Sequence, residues 1–488
     1  KMRMEIALSY SLLLFLSCEC LCIHRTFEYK KSNRKSQRFK NIILNAESGK
    51  LKEKFEKITD LKGGVDPSRI AFSELKDEKS SRLFSNLEQD LGTKKFKRKS
   101  TSLLAAIALI GGTTVGAGIL ALPTATINYG TIPSSLLLIS VWLYMCCTGL
   151  LIAEVNINIV CREGQPGIGL LALAEKTVGK LGARLAGLVY VFIHYALLIA
   201  YIAKGGSILS QFFGSSAILN WIGPISFTCL WGGIMTFCKD SSIQFVNNIM
   251  AALVVVSFLY LLLSVGSDVH PEYLLYNNWG GVIKAAPVML VALVFHNVVP
   301  VIVTQLEGDV KKIRIAILGG SAAPLLMFLA WNTVVLGTIS PSEVASDSNQ
   351  IIDPLSLMTS NSDDLMTVVS IFSQTAIVTS FIGFVLGLMD FFTDLFSIKV
   401  GDTKAELPLY FLILLPSLLV AITNPTIFYG ALDTAGAFGI SILFGLLPAA
   451  MAWQQRYNEN ELVATLPLVP GGKYSLIFIV VVAIGIII

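Results

Sequence analysis

The stretch "GGTTVGAGILALP", from Gly111 to Pro123, holds four glycines and two threonines in its first eight residues. Its Gly116-x-Gly118-x-x-Ala121 spacing is also that of a dinucleotide-binding turn, which needs a preceding β-strand and an acidic residue about 20 positions later. Here the preceding run "STSLLAAIALI" is too long for one strand, and the downstream window "SLLLISVW" contains no acid. A dinucleotide site is therefore excluded, and the glycines need another explanation.

The chain is far more apolar than a soluble protein of its length. Of its 488 residues, 54% are hydrophobic and only 14% are charged, and the mean hydropathy is +0.69. A soluble domain carries about 25% charged residues. Residues 100–153 hold no charged side chain, whereas a helix that spans a bilayer needs about 20 apolar residues. The glycine stretch is therefore predicted to lie within the lipid bilayer.

The sequence divides into a polar leader, residues 1–99, and a transmembrane domain, residues 100–488. The leader contains a short apolar run, Ile6 to Cys18, and a basic stretch, residues 24–46, with seven Lys or Arg and one acid. Basic, acid-poor leaders are typical of organelle-targeting segments. The alternative is a disordered, solvated tail.

Eleven hydrophobic spans follow the leader. Their cores are 102–127, 132–157, 184–212, 219–238, 243–265, 284–305, 313–338, 365–395, 407–422, 427–452 and 474–488. The predicted fold class is an all-α polytopic membrane protein with about eleven transmembrane helices.

The charges in the loops predict the orientation of these spans. Lys and Arg collect on the side that is not translocated. With the N-terminus inside, the outside loops contain no Lys or Arg, apart from Lys284 at the mouth of span 6. The inside loops and span ends contain Arg162, Lys176, Lys180, Arg184, Lys239, Lys311, Lys312, Arg314, Lys399, Lys404, Arg456 and Lys473. The net charge of +4 thus reflects topology and gives no sign of nucleic-acid binding.

Two spans carry signals of a broken helix. Span 1 has the glycine stretch, and span 6 has "VFHNVVP", in which Pro300 removes a backbone donor and clashes one turn back. Each of these spans opens a block of five, residues 102–265 and 284–452, with 474–488 as an extra helix. Because five is odd, the second block enters the membrane from the opposite side. Broken helices in matching positions of an inverted repeat indicate a transporter's binding site. The alternative is that the glycines only allow close helix packing.

Three segments carry a resemblance to a known family. The glycine stretch, the region from "VALVFHNVVPVIVTQLEGDVKKIRIAILGG" to "WNTVVLGTI", and "VLGLMDFFTDLF" resemble the aromatic amino acid permeases, above all the tyrosine-specific transport proteins and their plant plastid-type relatives. The bacterial pattern has Gly-Ser after the histidine, where this chain has Asn297 and Val298. The resemblance implies a proton-coupled carrier with a five-plus-five inverted repeat, and the basic leader then indicates the chloroplast inner envelope.

Carried over onto this sequence, the resemblance implies backbone and side-chain groups that bind an amino acid. The span 1 residues are Gly111, Gly112, Thr113, Thr114, Gly116 and Gly118, and the span 6 residues are Phe295, His296 and Asn297. Tyr195 and Tyr201 of span 3 are candidates for the walls of an aromatic pocket, and ordinary packing between helices is their alternative role.

Coupling to an ion gradient needs an ionisable or ion-binding group within the membrane. The candidates are His296, Glu154, Lys204 and Asp390, with His296 first because it lies at the break and imidazole titrates near neutral pH. Glu154 and Lys204 have an alternative role as an ion pair between helices. Hydroxyl groups of span 8 offer a sodium-binding alternative: Ser373, Thr375, Thr379 and Ser380.

Other function classes find little support in the sequence. It contains no P-loop, H-E-x-x-H or G-x-S-x-G motif, so we expect no enzyme, no metal and no cofactor beyond the coupling ion. A channel needs a repeated filter and a receptor needs a folded ligand domain, and the longest outside loop, 339–364, is too short for one. The sequence therefore predicts a carrier, and the resemblance implies that its substrate is an aromatic amino acid, tyrosine first. A sodium-coupled or exchange carrier for another neutral amino acid is the alternative.

Overall fold

A computed structural model describes residues 102–163, 168–213, 219–341, 354–359, 363–398, 403–457 and 465–488. It also describes two short antiparallel strands, β1 (Leu87–Gln89) and β2 (Phe96–Arg98), whose register pairs Leu87 with Arg98. The predicted leader, residues 1–99, otherwise lies outside the described residues.

The first block of spans folds into six helices. They are α1 (Leu103–Thr114), α2 (Gly118–Thr126), α3 (Thr131–Glu163), α4 (Leu170–Phe213), α5 (Leu219–Phe237) and α6 (Asp240–Val265). Helix α1 begins at Ser102, whose hydroxyl accepts a hydrogen bond from the Leu104 N–H and so caps the helix. Helix α4 is kinked at Gly179, where φ is +82°.

A connecting segment separates the two blocks. It holds a 3-10 turn (Gly266–Asp268), the short helix α7 (Pro271–Leu274) and a second 3-10 turn (Val282–Ala285). The Asn278 N–H donates to the Tyr129 carbonyl and the His270 N–H to the Gly337 carbonyl. The segment therefore ties the turn after α2 to the residues around Gly337.

The second block repeats the order of the first. Its helices are α8 (Ala286–Ala292), α9 (Val299–Gln305), α10 (Val310–Thr338), α11 (Pro354–Thr359), α12 (Asp363–Phe396), α13 (Thr403–Thr423), α14 (Phe428–Thr434) and α15 (Leu447–Tyr457). A π-helical segment, Ala435–Leu446, joins α14 to α15, and α16 (Gly472–Ile487) follows.

The described residues confirm a polytopic all-α membrane protein. They contain eight helices long and apolar enough to span a bilayer, and the α1–α2 pair makes a ninth if it counts as one bent span. Two shorter apolar helices lie at the predicted spans 4 and 11. The number of eleven crossings stays a prediction.

Packing between the two blocks is reciprocal. Helix α1 of the first broken span packs on α10, which follows the second break, while α8 and α9 pack on α3, which follows the first break. The helices of the third span in each block, α4 and α12, pack on each other. Such exchanged contacts are expected when two similar halves are related by a pseudo-two-fold axis.

Candidate functional site

The first break leaves polar backbone atoms without partners. Helices α1 and α2 are bent by 56° across residues 115–117. The Val115 N–H still donates to the Gly111 carbonyl at 3.1 Å, but the Gly112 and Thr113 carbonyls accept no backbone hydrogen bond within the described part of the chain. Free carbonyls at the end of a half-helix attract cations, and the N-terminus of α2 attracts anions.

The second break lies between α8 and α9. Helix α8 ends at Ala292, Phe295 has non-helical angles of φ −140° and ψ 4°, and one 3-10 turn, His296–Val298, precedes α9. Pro300 has no N–H to donate to residue 296 and fits the first turn of α9. The structure therefore has both of the broken helices that the sequence predicts.

The two breaks meet backbone to backbone. A Cβ atom added at Gly118 would lie 2.7 Å from the Ala292 Cα atom and 3.3 Å from its nitrogen. Real Cβ atoms do not approach backbone so closely, so position 118 admits only glycine without a shift of α2 or α8. The start of one half-helix thus touches the end of another from the opposite block.

A side chain of helix α12 hydrogen-bonds to the backbone of the first break. The Ser380 hydroxyl accepts a hydrogen bond from the Ala117 N–H at 2.9 Å. A Cβ atom at Gly116 would come within 2.6 Å of the same hydroxyl oxygen. The buried Tyr201 side chain also interacts with Ser380, and its ring packs edge-on against Phe384 at 5.7 Å. Tyr201 therefore lies beside the first break.

His296 is completely buried at the second break. Its Nε2 atom lies 2.8 Å from the Thr148 hydroxyl oxygen on α3. Its ring stacks on Phe295 and on Phe444, with 4.8 Å between ring centroids in each case. Its Nδ1 atom has no hydrogen-bond partner among the described residues.

The sequence analysis missed Thr148 and Phe444. Thr148 precedes Gly149, where an added Cβ would lie 2.8 Å from the Phe295 ring, so this glycine is the signal of a close approach. Phe444 lies in the π-helical segment, and π-helical turns are frequent at functional sites. No residue pattern in the sequence announces that segment.

Most of the sequence matches a known protein family. The profile of the tryptophan/tyrosine permease family matches residues 99–488, which is most of the chain. The chain belongs to the tryptophan/tyrosine permease family.

The permease covers individual relatives almost end to end. The tyrosine-specific transport systems 1 and 2 of Haemophilus influenzae are 29% and 31% identical to it, each over 77% of this chain and 93% of their own length. The tryptophan-specific transport protein of the same organism is 29% identical over 80% of this chain and 95% of its own length.

Other predicted residues of the permease lie at or near the breaks with different roles. The Thr113 and Thr114 hydroxyls donate to the carbonyl of Ile110 in their own helix. A Cβ at Gly111 would lie 3.2 Å from the Gly320 carbonyl, so Gly111 serves the contact of α1 with α10. Gly112 and Asn297 are not covered by other described parts of the protein. Binding by these residues stays a prediction.

Tyr195 contacts helix α13 of the second block. Its hydroxyl donates to the Leu412 carbonyl of α13 at 2.8 Å. This contact is the helix-packing role that the sequence analysis gives as its alternative.

Glu154 belongs to a buried ion pair, and its partner differs from the expected one. The Arg456 Nε atom lies 2.7 Å from Glu154 Oε1, and Arg456 Nη2 lies 2.7 Å from Oε2. The expected pairing of Glu154 with Lys204 is wrong, because the two-pronged guanidinium of Arg456 already saturates the carboxylate. The Lys204 ammonium instead lies 5.9 Å from the Phe428 ring centroid.

Backbone groups complete what we call the Glu154–Arg456 network. The Leu468 N–H donates to Glu154 Oε2 at 2.7 Å, and Arg456 donates to the Val469 carbonyl at 3.3 Å. Arg314 of α10 donates to the Leu468 carbonyl at 3.2 Å. The network thus joins α3, α10 and α15 to the segment before α16.

Asp390 is also distant from the breaks. It lies ten residues after Ser380 on α12, about 15 Å along the helix axis. Its charge interacts with Tyr190 and with Asp394. Among the acidic and imidazole candidates, His296 alone thus lies at a break.

A small cavity of about 10 Å³ lies away from both breaks, at Ile127, Gly130, Tyr273, Tyr276 and Leu336. Such a volume holds one water molecule and no amino acid. This cavity is therefore not a substrate site of the permease.

Proposed function

We propose that this permease is a secondary active transporter that moves an aromatic amino acid, tyrosine first, by alternating access. The observation that carries the proposal is the backbone contact of the two breaks at Gly118 and Ala292. Relatives with tyrosine-specific and tryptophan-specific names support the substrate class. Free carbonyls at the end of α1 suit the substrate's ammonium group, and the N-terminus of α2 suits its carboxylate.

We further propose that transport is coupled to protons. His296 lies at the break, whereas Glu154 is occupied by Arg456, and Asp390 lies about 15 Å from Ser380 along α12. Sodium coupling is the second candidate, because the Ser380 hydroxyl reaches the first break beside the unpaired carbonyls of Gly112 and Thr113.

The test is uptake of radiolabelled tyrosine by proteoliposomes that contain the full-length chain. A pH gradient and a sodium gradient are imposed in turn, and tryptophan, phenylalanine and leucine are added as competitors. We expect inward protons to drive uptake and the aromatic competitors to reduce it. Uptake driven only by sodium overturns proton coupling, and no uptake under either gradient overturns the substrate assignment.

Orientation and location complete the proposal. The distribution of Lys and Arg supports an N-terminus on the inside, and the basic leader supports the chloroplast inner envelope. A fluorescent protein fused to the C-terminus of the full-length chain tests the address. Fluorescence in the chloroplast envelope is expected, and fluorescence in another membrane contradicts it.

A further inference from the structure

The hydrogen bonds around His296 assign its tautomer. The Thr148 hydroxyl has one proton, and it lies 3.2 Å from the Tyr144 carbonyl and 3.2 Å from the Met145 carbonyl. A threonine within a helix commonly donates its hydroxyl proton to a carbonyl of the preceding turn, and in that arrangement Thr148 accepts from His296 Nε2 at 2.8 Å. The imidazole proton is therefore assigned to Nε2, and Nδ1 carries a lone pair.

Nδ1 is then a buried acceptor with no donor among the described residues. A buried acceptor without a partner is costly and calls for an explanation. Under-satisfied acceptors are nevertheless tolerated better than orphaned N–H donors, which agrees with the same tautomer.

The contacts recorded for the His296 ring involve its two faces and its Nε2 edge. Phe295 and Phe444 stack on it with interplanar angles of 25° and 30°. Thr148 occupies the Nε2 edge, and Gly149 lies beside it. None of the groups that the structure records against this ring is charged or titratable, so nothing there holds a proton on Nδ1.

We propose that His296 Nδ1 is the acceptor for the donor on the substrate's aromatic side chain, the phenol O–H of tyrosine or the indole N–H of tryptophan. This inference rests on the proposed function and names what selects the substrate. Phenylalanine stacks in the same surroundings but has no donor, so it leaves Nδ1 unpaired. A site that hydrogen-bonds a substrate hydroxyl rejects the analogue without it far more strongly than an apolar pocket rejects a missing methylene.

Thr148 is the positioning residue in this arrangement. It holds the proton on Nε2, and without it the ring has a second tautomer in which Nδ1 becomes a donor. Serine retains the hydroxyl, whereas valine has nearly the same shape and lacks it.

The experiment measures kcat/KM for tyrosine, tryptophan and phenylalanine in proteoliposomes with the full-length chain. We expect the wild-type protein to prefer tyrosine over phenylalanine by about 5- to 150-fold, the range that one unpaired buried acceptor produces. His296→Phe keeps an aromatic ring between Phe295 and Phe444. Because His296 is also the proposed coupling residue, this variant is compared by equilibrium binding to the purified full-length protein, and we expect its tyrosine-to-phenylalanine affinity ratio to fall to about 1 while phenylalanine still binds.

Thr148 variants provide a second, independent readout. We expect Thr148→Val to lower the ratio at least threefold and Thr148→Ser to keep it near the wild-type value. An unchanged ratio in a His296→Phe protein that binds phenylalanine, or in an active Thr148→Val protein, overturns the inference and leaves the proposed function intact. Absence of aromatic uptake by the wild-type protein overturns the proposed function itself.

Discussion

The paired breaks and the Glu154–Arg456 network differ in whether their polar groups have hydrogen-bond partners within the protein. At the network, both carboxylate oxygens of Glu154 accept hydrogen bonds, and three helices and the segment before α16 converge on one ion pair. At the breaks, the Gly112 and Thr113 carbonyls and His296 Nδ1 find no partner among the described residues. Thr148 and Glu154 are only six residues apart on α3, about 9 Å along the axis.

This difference distinguishes the groups that stabilise the fold of the permease from the groups that are available to bind a ligand. Paired charges in a low-dielectric interior fix helices relative to one another, because loss of either partner leaves an uncompensated charge. Unsatisfied neutral groups are tolerated where a ligand completes them, so departures from full hydrogen bonding are expected at functional sites. Variants at the network, at the crossing of α1 with α10 and at the first break test this difference.

The largest loss of stability is expected at the network. Arg456→Ala leaves Glu154 buried without its partner, and we expect the free energy of unfolding to fall by about 3–5 kcal/mol. The midpoint of an SDS titration in mixed micelles measures this loss. The double variant Glu154→Leu with Arg456→Met removes both charges and is expected to recover most of it. An Arg456→Ala protein as stable as the wild type contradicts a structural role.

A smaller loss is expected where α1 crosses α10. A Cβ atom at Gly320 would lie 2.7 Å from Ile110 Cβ and 2.9 Å from the Ile107 carbonyl, so Gly320→Ala should cost about 1–3 kcal/mol through overpacking. Its neighbour provides a matched control, because a Cβ at Gly319 meets only the side chain of Ile107, at 3.8 Å and 4.0 Å. The same mixed-micelle titration should therefore separate the two variants, and equal midpoints would show that α1 is not held tightly on α10.

The smallest loss of stability is expected at the first break. Ser380→Ala removes the acceptor for the Ala117 N–H, and one such hydrogen bond contributes about 1 kcal/mol. Thr393→Ala on the same helix is the control, since the Thr393 hydroxyl donates only to carbonyls of its own helix. We expect Ser380→Ala also to reduce tyrosine uptake, whereas uptake by Thr393→Ala stays at the wild-type level. Equal uptake by both variants would remove Ser380 from the site.

The sequence predicts the breaks because their causes are local. Glycine-rich backbone at Gly111–Gly118 and a missing donor at Pro300 act within one turn of helix, so they are legible in a single chain. Period and length of the apolar runs likewise predict the helices. The contact of Gly118 with Ala292 could only be inferred from the matching positions of the two breaks in an inverted repeat.

Partners of the polar side chains could not be predicted in this way. Arg456 is 302 positions from Glu154, and nothing local distinguishes it from the other basic residues at the ends of spans. Thr148 and His296 likewise meet only through the packing of α3 on the second break. Tertiary packing, and no local rule, decides which of several intramembrane charges is structural.

The most direct test of the account is equilibrium binding of radiolabelled tyrosine to the purified full-length protein. Gly118→Ala drives α2 away from Ala292 and is compared with Gly383→Ala, whose added Cβ meets nothing within 4 Å. If the substrate binds where the two breaks meet, Gly118→Ala raises Kd at least tenfold and Gly383→Ala leaves it at the wild-type value. Equal affinity for tyrosine in all three proteins would contradict a binding site at the junction of the breaks.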